Sequence, residues 1–176
     1  MLTLDLARLQ RSGPQDLSGV IAPDDAMWDG VDASPVGGVQ FELRASMTTT
    51  DQVLVQGSVE GTLTFACRRC LDDVAFPLRE TLVGLWADPA DLEDANEEED
   101  GEFRTLDAGS NVLDLEGFLR EEILLRIPRW VECRKDCAGL CPRCGINRNE
   151  ETCECSEKEA DPRWDALRAL SPDQRK

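Results

Sequence analysis

The sequence predicts an α+β fold: an antiparallel β-meander or partly closed barrel, one helix packed on it, and a C-terminal ribbon closed by a short helix. Three observations carry that expectation. Residues 39–86 alternate apolar and polar with period two, residues 111–128 repeat their apolar side chains at helical spacing, and the stretch 133–155 holds six of the chain's 8 cysteines.

In "VQFELRASM", Val39, Phe41, Leu43, Ala45 and Met47 alternate with polar or small residues. In "VLVQGSVEGTLTF", Val53, Val55, Val59, Leu63 and Phe65 share one face, with Gly57 and Gly61 in the same register. Val74, Phe76, Leu78, Leu82 and Trp86 resume the alternation after "CRRCLDD". Side chains two apart lie on the same side of a strand, so each segment has one core face and one wet face. Three in succession read as a meander, with "TTTDQ" and "CRRCLDD" as its turns. The glycines inside the middle strand suggest bulges or tight curvature. Leu2, Leu4 and Leu6 also alternate and suggest a further strand; "SGVIAPDDAMWDG" reads as a loop or short edge element. Residues 1–87 thus form a β-rich body.

Residues 88–110 read as an acidic flexible loop, since 88–102 carries nine acidic residues and no basic one. A basic partner protein could also be tethered there. Within 111–128, Leu115, Phe118, Leu119, Ile123 and Ile127 form a helical stripe that Pro128 ends, which predicts one amphipathic helix across the sheet. The remainder, 129–176, is the cysteine segment. Asp161-Pro162 is an N-cap followed by proline, opening a closing helix whose stripe is Trp164, Leu167 and Leu170.

The chain has 176 residues, 41% of them hydrophobic, enough for one domain with a real core. No apolar run approaches the roughly 18–20 residues a bilayer crossing needs. "MLTLDLARLQ" has no basic start before an apolar stretch, so no secretory signal is expected. The expected location is the cytoplasm or an organellar equivalent, where thiols stay reduced and cysteines point to metal before disulfides. The net charge of −17 argues against DNA as a partner and against a general RNA coat, although the charge is unevenly spread.

Thiolate is among the strongest protein donors to tetrahedral zinc, and ligands come in pairs because a short spacer fixes two sulfurs at once. "CPRCG" has knuckle form: Cys141 and Cys144 two residues apart, then Gly145 for a left-handed turn. In "CEC", Cys153 and Cys155 would point to one side of an extended strand. The short loop between these pairs closes at little entropic cost, so Cys141, Cys144, Cys153 and Cys155 make a plausible zinc ribbon. Cys67, Cys70, Cys133 and Cys137 remain, and as a second site they would join the hairpin turn to the post-helix segment. A competing partition puts Cys133 or Cys137 into the ribbon and leaves "CRRC" without metal. One or two zinc ions are expected, and four thiolates suit iron as well. Dithiol redox chemistry is the rival reading. A reactive C-x-x-C usually opens a helix, whereas Cys67 and Cys70 lie between strands.

Arg68, Arg69, Arg134, Lys135 and Arg143 flank these cysteines, where they would offset the charge of tetrathiolate sites. They also suggest a nucleic-acid contact. From 126 to 148, Arg126, Arg129, Arg134, Lys135, Arg143 and Arg148 stand against only Glu132 and Asp136, with Trp130 as a stacking platform. This is the candidate RNA-contacting face. The chain has no histidine or tyrosine, no phosphate-binding glycine loop and no nucleophile elbow. Zinc held by four thiolates has no open position for water, so an enzyme is not expected.

"ACRRCLDDVAFPL", "LDLEGFLREEILLRIP", "CRKDCAGLCPRCGINRN", "CECS" and "DPRWDALRAL", in that order, closely resemble the YceD family, the large ribosomal RNA subunit accumulation proteins of bacteria and plastids. The resemblance runs from about 53 to 170. It implies a non-enzymatic role in large-subunit rRNA accumulation or processing and in ribosome assembly. The implied partners are large-subunit rRNA or a pre-ribosomal particle, and a basic ribosomal protein at the acidic loop. A zinc-dependent protein–protein adaptor without RNA contact is the alternative, and a thiol oxidoreductase acting through Cys67 and Cys70 comes third.

Overall fold

The computed structural model describes residues 2–92, 103–107, 109–155 and 163. Residues 93–102 of the expected acidic loop and the expected closing helix with Trp164, Leu167 and Leu170 lie outside the described residues. The elements are β1 (Thr3–Asp5), α1 (Leu6–Ser12), β2 (Gln15–Ile21), a 3-10 turn (Ala26–Trp28), β3 (Ser34–Pro35), β4 (Val39–Met47), β5 (Val53–Ala66), β6 (Asp73–Ala87), the single turn α2 (Pro89–Leu92), β7 (Phe103–Thr105), β8 (Val112–Asp114) and α3 (Leu115–Arg126).

The main sheet runs β2-β4-β5-β6-β7, with β3 also pairing with β5. β4, β5 and β6 are the expected antiparallel meander, and Val39, Phe41, Leu43, Ala45, Val53, Val55, Val59, Leu63, Leu78, Leu82 and Trp86 are buried on its core face. The sheet does not close into a barrel. It ends at β7, a three-residue strand that joins β6 in parallel, inside the stretch read as loop. Arg104 of β7 pairs with Glu121 (2.6 Å) and Glu122 (2.9 Å) of α3, and its guanidinium lies 5.1 Å from the Phe118 ring centroid. That end of the sheet is thereby capped by the helix instead of meeting β2.

No bulge interrupts the middle strand, whose register to both neighbours is unbroken. Gly57 answers a close approach instead: a Cβ there would lie 1.9 Å from the Glu42 carbonyl oxygen and 2.8 Å from Leu43 Cα. Only glycine lets β4 press so near.

"SGVIAPDDAMWDG", expected to be a loop or short edge element, supplies the last four residues of β2, whose seven residues pair with β4 from Gln15↔Ala45 to Ile21↔Val39. Its alternation was muted because the inward position Gly19 is kept empty for the Phe41 ring, whose Cζ would sit 2.8 Å from an added Cβ. Trp28 is buried behind it, donating from Nε1 to the Ala22 carbonyl (3.0 Å).

The ends of two helices are set by the same device. The N-terminal strand stops at Asp5, whose carboxylate accepts the Arg8 N–H (2.8 Å) and starts α1. The helix expected over 111–128 spans Leu115–Arg126, because Asp114 caps it by accepting the Glu116 N–H (2.9 Å). The three residues before it form β8, paired with β1 from Thr3↔Asp114 to Asp5↔Val112. Leu115, Phe118, Leu119 and Ile123 are buried, each worth roughly 1.5–3 kcal/mol of apolar burial. Phe118 meets Trp86 edge to face at 5.0 Å, which lays α3 across the sheet. Among the described residues no helix is long and apolar enough to cross a membrane.

Gly57→Ala should lower unfolding stability by about 3 kcal/mol, since neither backbone strand can yield to the added methyl. Urea denaturation of the two proteins checks this, and an unchanged midpoint would refute the close packing of β4 on β5.

Candidate metal centres

β5 and β6 form one long hairpin, paired continuously from Val53↔Trp86 to Ala66↔Asp73, and Cys67 and Cys70 lie in its turn. Phe65 and Phe76 stack edge to face (5.8 Å) just beneath. After α3 the chain passes this tip, where the Arg68 N–H donates to the Val131 carbonyl (3.0 Å) and the Cys133 N–H to Cys67 Sγ (3.4 Å). A turn closed by the Cys137 N–H on the Arg134 carbonyl (3.2 Å) then brings in Cys137.

The four sulfurs of Cys67, Cys70, Cys133 and Cys137 all lie within 4.8 Å of one another. Cys67 and Cys137 are separated by 3.9 Å and Cys70 and Cys133 by 3.5 Å. A tetrahedron with metal–sulfur bonds of about 2.3 Å has edges of about 3.8 Å, whereas a disulfide needs a separation near 2.05 Å. The donor set therefore fits a tetrahedral ion, and all eight cysteines are free thiols. Cys67, Cys70 and Cys137 are buried in a small core of their own, separate from the main one, with half-buried Val74 and Cys133 packed against them. We call this the inner group.

Cys141, Cys144, Cys153 and Cys155 form the outer group, their sulfurs again within 4.8 Å of one another. Cys141 is buried, Cys153 half-buried, and Cys144 and Cys155 exposed. Both groupings coincide with the partition that pairs the local ribbon first. In the competing partition "CRRC" stands alone, whereas here its two sulfurs lie beside those of Cys133 and Cys137.

The two C-x-x-C turns repeat one hydrogen-bond pattern. In the inner turn the Cys67 N–H donates to the Asp72 carbonyl (2.8 Å) and the Leu71 N–H to the Cys67 carbonyl (2.9 Å). In the outer turn the Cys141 N–H donates to the Ile146 carbonyl (2.8 Å) and the Gly145 N–H to the Cys141 carbonyl (2.9 Å). Leu71 at φ 65° and Gly145 at φ 77° occupy the same left-handed position. The inner turn is thus a knuckle in which leucine stands where glycine is the easier residue, and that substitution hid it in the sequence.

Each knuckle polarises its leading sulfur. The N–H of Cys70, with those of Arg69 and Cys133, pulls the Cys67 thiol down to about 6 against burial. The N–H groups of Cys144 and Arg143 likewise pull Cys141 down to about 6. Burial pushes Cys70 and Cys133 up. At Cys137 burial acts the same way, but hydrogen bonds led by the Asn149 side chain and the Gly139 N–H outweigh it and hold the thiol low. The hydrogen bond with Cys144, then burial, pushes Cys155 up to about 12. Each group thus presents a ready thiolate beside thiols that a cation's field would deprotonate.

The basic residues are not equivalent. Arg126 is half-buried and committed to Glu122 (2.6 Å) and Glu80 (3.5 Å). Arg134 faces Asp136 at 3.6 Å. Arg129, Lys135, Arg143 and Arg148 are exposed and have no side-chain partner among the described residues. Trp130 is 60% exposed, with the Arg68 guanidinium 5.5 Å from its ring centroid. Arg68, one of the cations flanking the cysteines, is paired with Glu132 through Nε (2.7 Å) and lines a groove of about 570 Å³ with Phe65, Asp73, Arg129 and Trp130. Sequence spacing also missed Asp72, Asn147 and Asn149, whose amides and carboxylate join the two knuckles; an amide or carboxylate near a cysteine carries no spacing rule that would have exposed it.

Leu71→Gly should keep the metal sites and raise stability by about 1 kcal/mol, because a left-handed leucine costs roughly 1–2 kcal/mol and its side chain is exposed. Thermal unfolding of the metal-loaded protein is the check, and a marked loss would refute the knuckle geometry.

No solved structure matches the chain. Two uncharacterized proteins, of Mycobacterium tuberculosis and Mycobacterium bovis, are each 35% identical to it over 129 residues, 73% of this chain and 60% of theirs. An uncharacterized protein of Mycobacterium leprae is 32% identical over 136 residues, 77% of this chain and 60% of its own. The chain thus spans about three fifths of the length of the curated relatives it matches. The family model of the large ribosomal RNA subunit accumulation protein YceD matches residues 55–171, a range that takes in both knuckles and all eight cysteines, and the chain belongs to that family.

Proposed function

We propose that this protein is a non-enzymatic factor supporting large-subunit rRNA accumulation, its RNA-contacting loops held in shape by two zinc ions. Family membership supports the ribosomal role, and the tetrahedral spacing of the inner sulfurs is the observation that carries the metal role. Cys67, Cys70, Cys133 and Cys137 would hold one ion, and Cys141, Cys144, Cys153 and Cys155 the other. Zinc has no redox chemistry and accepts four thiolates without strain, so these sites would fasten chain segments rather than transform a substrate.

Arg129, Trp130, Lys135, Arg143 and Arg148 present the exposed cations and ring of the proposed RNA face, with Arg134 at its margin. Arg126 acts within the protein, holding the buried Glu122 carboxylate. With a net charge of −17, free RNA is repelled at low salt. The favoured target is therefore a ribonucleoprotein particle, where basic ribosomal proteins meet the acidic surface. The working compartment is one that keeps thiols reduced, the cytoplasm or an organellar equivalent.

Anaerobically purified protein should carry two ions per chain, and changing Cys67 and Cys70 to serine should remove one. Large-subunit rRNA should co-purify from cell extract, and charge reversal at Arg129, Arg134 and Arg143 should cut its recovery about tenfold or more while the fold persists. Unchanged recovery would favour the adaptor reading, in which only protein is contacted. Recovery of neither rRNA nor ribosomal proteins from the unaltered chain would overturn the ribosomal role.

A further inference from the structure

The run "GINRN" follows the outer knuckle, yet neither of its asparagines is a candidate ligand. Their side chains lie across the junction between the two groups. The Asn147 amide donates to both carboxylate oxygens of Asp72, at 3.0 and 3.2 Å. Asp72 belongs to the inner knuckle, where its carbonyl accepts the Cys67 N–H. The Asn149 amide donates to Cys137 Sγ at 3.4 Å and to Asn147 Oδ1 at 2.8 Å, and its Oδ1 accepts the Ala138 N–H at 2.7 Å. Backbone bonds complete the seam: the Leu140 N–H reaches the Arg69 carbonyl (2.8 Å), and the Arg148 N–H the Gly139 carbonyl (2.9 Å).

A residue of the outer ribbon thus hydrogen-bonds a sulfur of the inner group, and its neighbour in the run anchors the carboxylate beside the inner knuckle. Both asparagines lie between Cys144 and Cys153, in the loop that an outer ion would close. Without that ion, backbone hydrogen bonds alone hold the outer turn, Cys153 and Cys155 lose their tie to Cys141 and Cys144, and the loop between the pairs regains conformational freedom. Closing it sets Asn149 on Cys137 in advance, so the inner group meets its own ion already oriented. Groups that orient a ligand from outside the coordination sphere are worth about 10–100-fold in metal affinity.

We propose that Asn147 and Asn149 couple the two groups, so that the inner four thiolates bind their divalent cation more tightly once the outer four hold theirs. The inference rests on the metal-holding reading above. By linkage the coupling is reciprocal, and a filled inner group tightens the outer one by the same factor. The asparagines act as positioning residues and touch no ion themselves.

Cobalt(II) is the probe, titrated anaerobically into the full chain against a chelator of known affinity and followed by its thiolate charge-transfer absorption. With Cys153 and Cys155 changed to serine, the inner group should bind cobalt at least tenfold more weakly than in the unaltered chain. Asn147→Ala with Asn149→Ala should weaken it by a similar factor although the outer sulfurs are intact, and combining both changes should add little. Asn149→Asp keeps the acceptor for the Ala138 N–H but loses the donor to Cys137. It should move the inner charge-transfer band to longer wavelength and leave the outer band in place, a signature that loosened packing alone would not produce. Inner affinity within twofold of the unaltered value in the serine variant, or an unmoved band in Asn149→Asp, overturns the coupling while leaving two independent sites. Failure of the unaltered chain to take up any cobalt overturns the metal-holding reading and this inference with it.

Discussion

Four sulfurs gather where the tip of the β5–β6 hairpin meets the chain that leaves α3. The hairpin is the longest element of the sheet, and its turn lies beyond the main hydrophobic core, where few apolar side chains remain to bury. The chain leaving α3 sets Ile127 and Val131 against the main core and is polar beyond them, with Arg129 and Lys135 making no side-chain pairs among the described residues. Past Val131, Val74 is the aliphatic side chain packed against the cysteines, and its partial burial would contribute less than about 1.5–3 kcal/mol. Three buried cysteines and a fourth half-buried one replace a core at this place. Left as thiols they are poor glue, and their spacing suits a tetrahedral ion, which would supply the missing cohesion.

The described segment from Ala138 to Asn149 is seated on that cluster by hydrogen bonds. The outer knuckle copies the inner one bond for bond, and the seam of Leu140, Asn147, Arg148 and Asn149 seats the copy on the original. On the proposed reading this hierarchy explains how a chain of net charge −17 could present a basic face at all. Arg129, Trp130, Lys135, Arg143 and Arg148 stand on irregular backbone that has no helix or long strand to stiffen it. Ordering such a loop at the moment of binding would cost affinity, and a cross-link made beforehand removes that cost. The ions would then serve recognition by preorganisation and leave chemistry aside.

Much of this was legible because it follows from strict periods. The meander and the apolar face of α3 came from alternation and helical spacing, and the proximity of Cys141 and Cys144 to Cys153 and Cys155 followed from the short loop between them. What escaped depends on single residues whose role is set by distant contacts. β2 was obscured by Gly19, which is small because the Phe41 ring fills its place. α1 and the true start of α3 depend on Asp5 and Asp114 acting as caps, and a continuous apolar alternation runs straight through both. β7 is three residues long and held by Arg104 on α3, so no local pattern announces it. The inner knuckle was disguised by a leucine in a left-handed conformation. Asn147 and Asn149 were quoted within a motif, but their partners Asp72 and Cys137 lie elsewhere in the chain, and only the fold brings them within reach.

The claim that an ion in the inner group fastens the tail to the sheet is tested most directly by amide hydrogen exchange, comparing metal-loaded protein with protein stripped by a chelator under reducing conditions. The amide of Arg68 donates to the Val131 carbonyl and that of Leu140 to the Arg69 carbonyl, so both report the junction, while those of Val55 and Val59 report the middle of the sheet. Stripping the metal should accelerate exchange at Arg68 and Leu140 by orders of magnitude and leave Val55 and Val59 protected. Equal protection at the junction in both samples would contradict the account, since the two halves would then be joined without any ion.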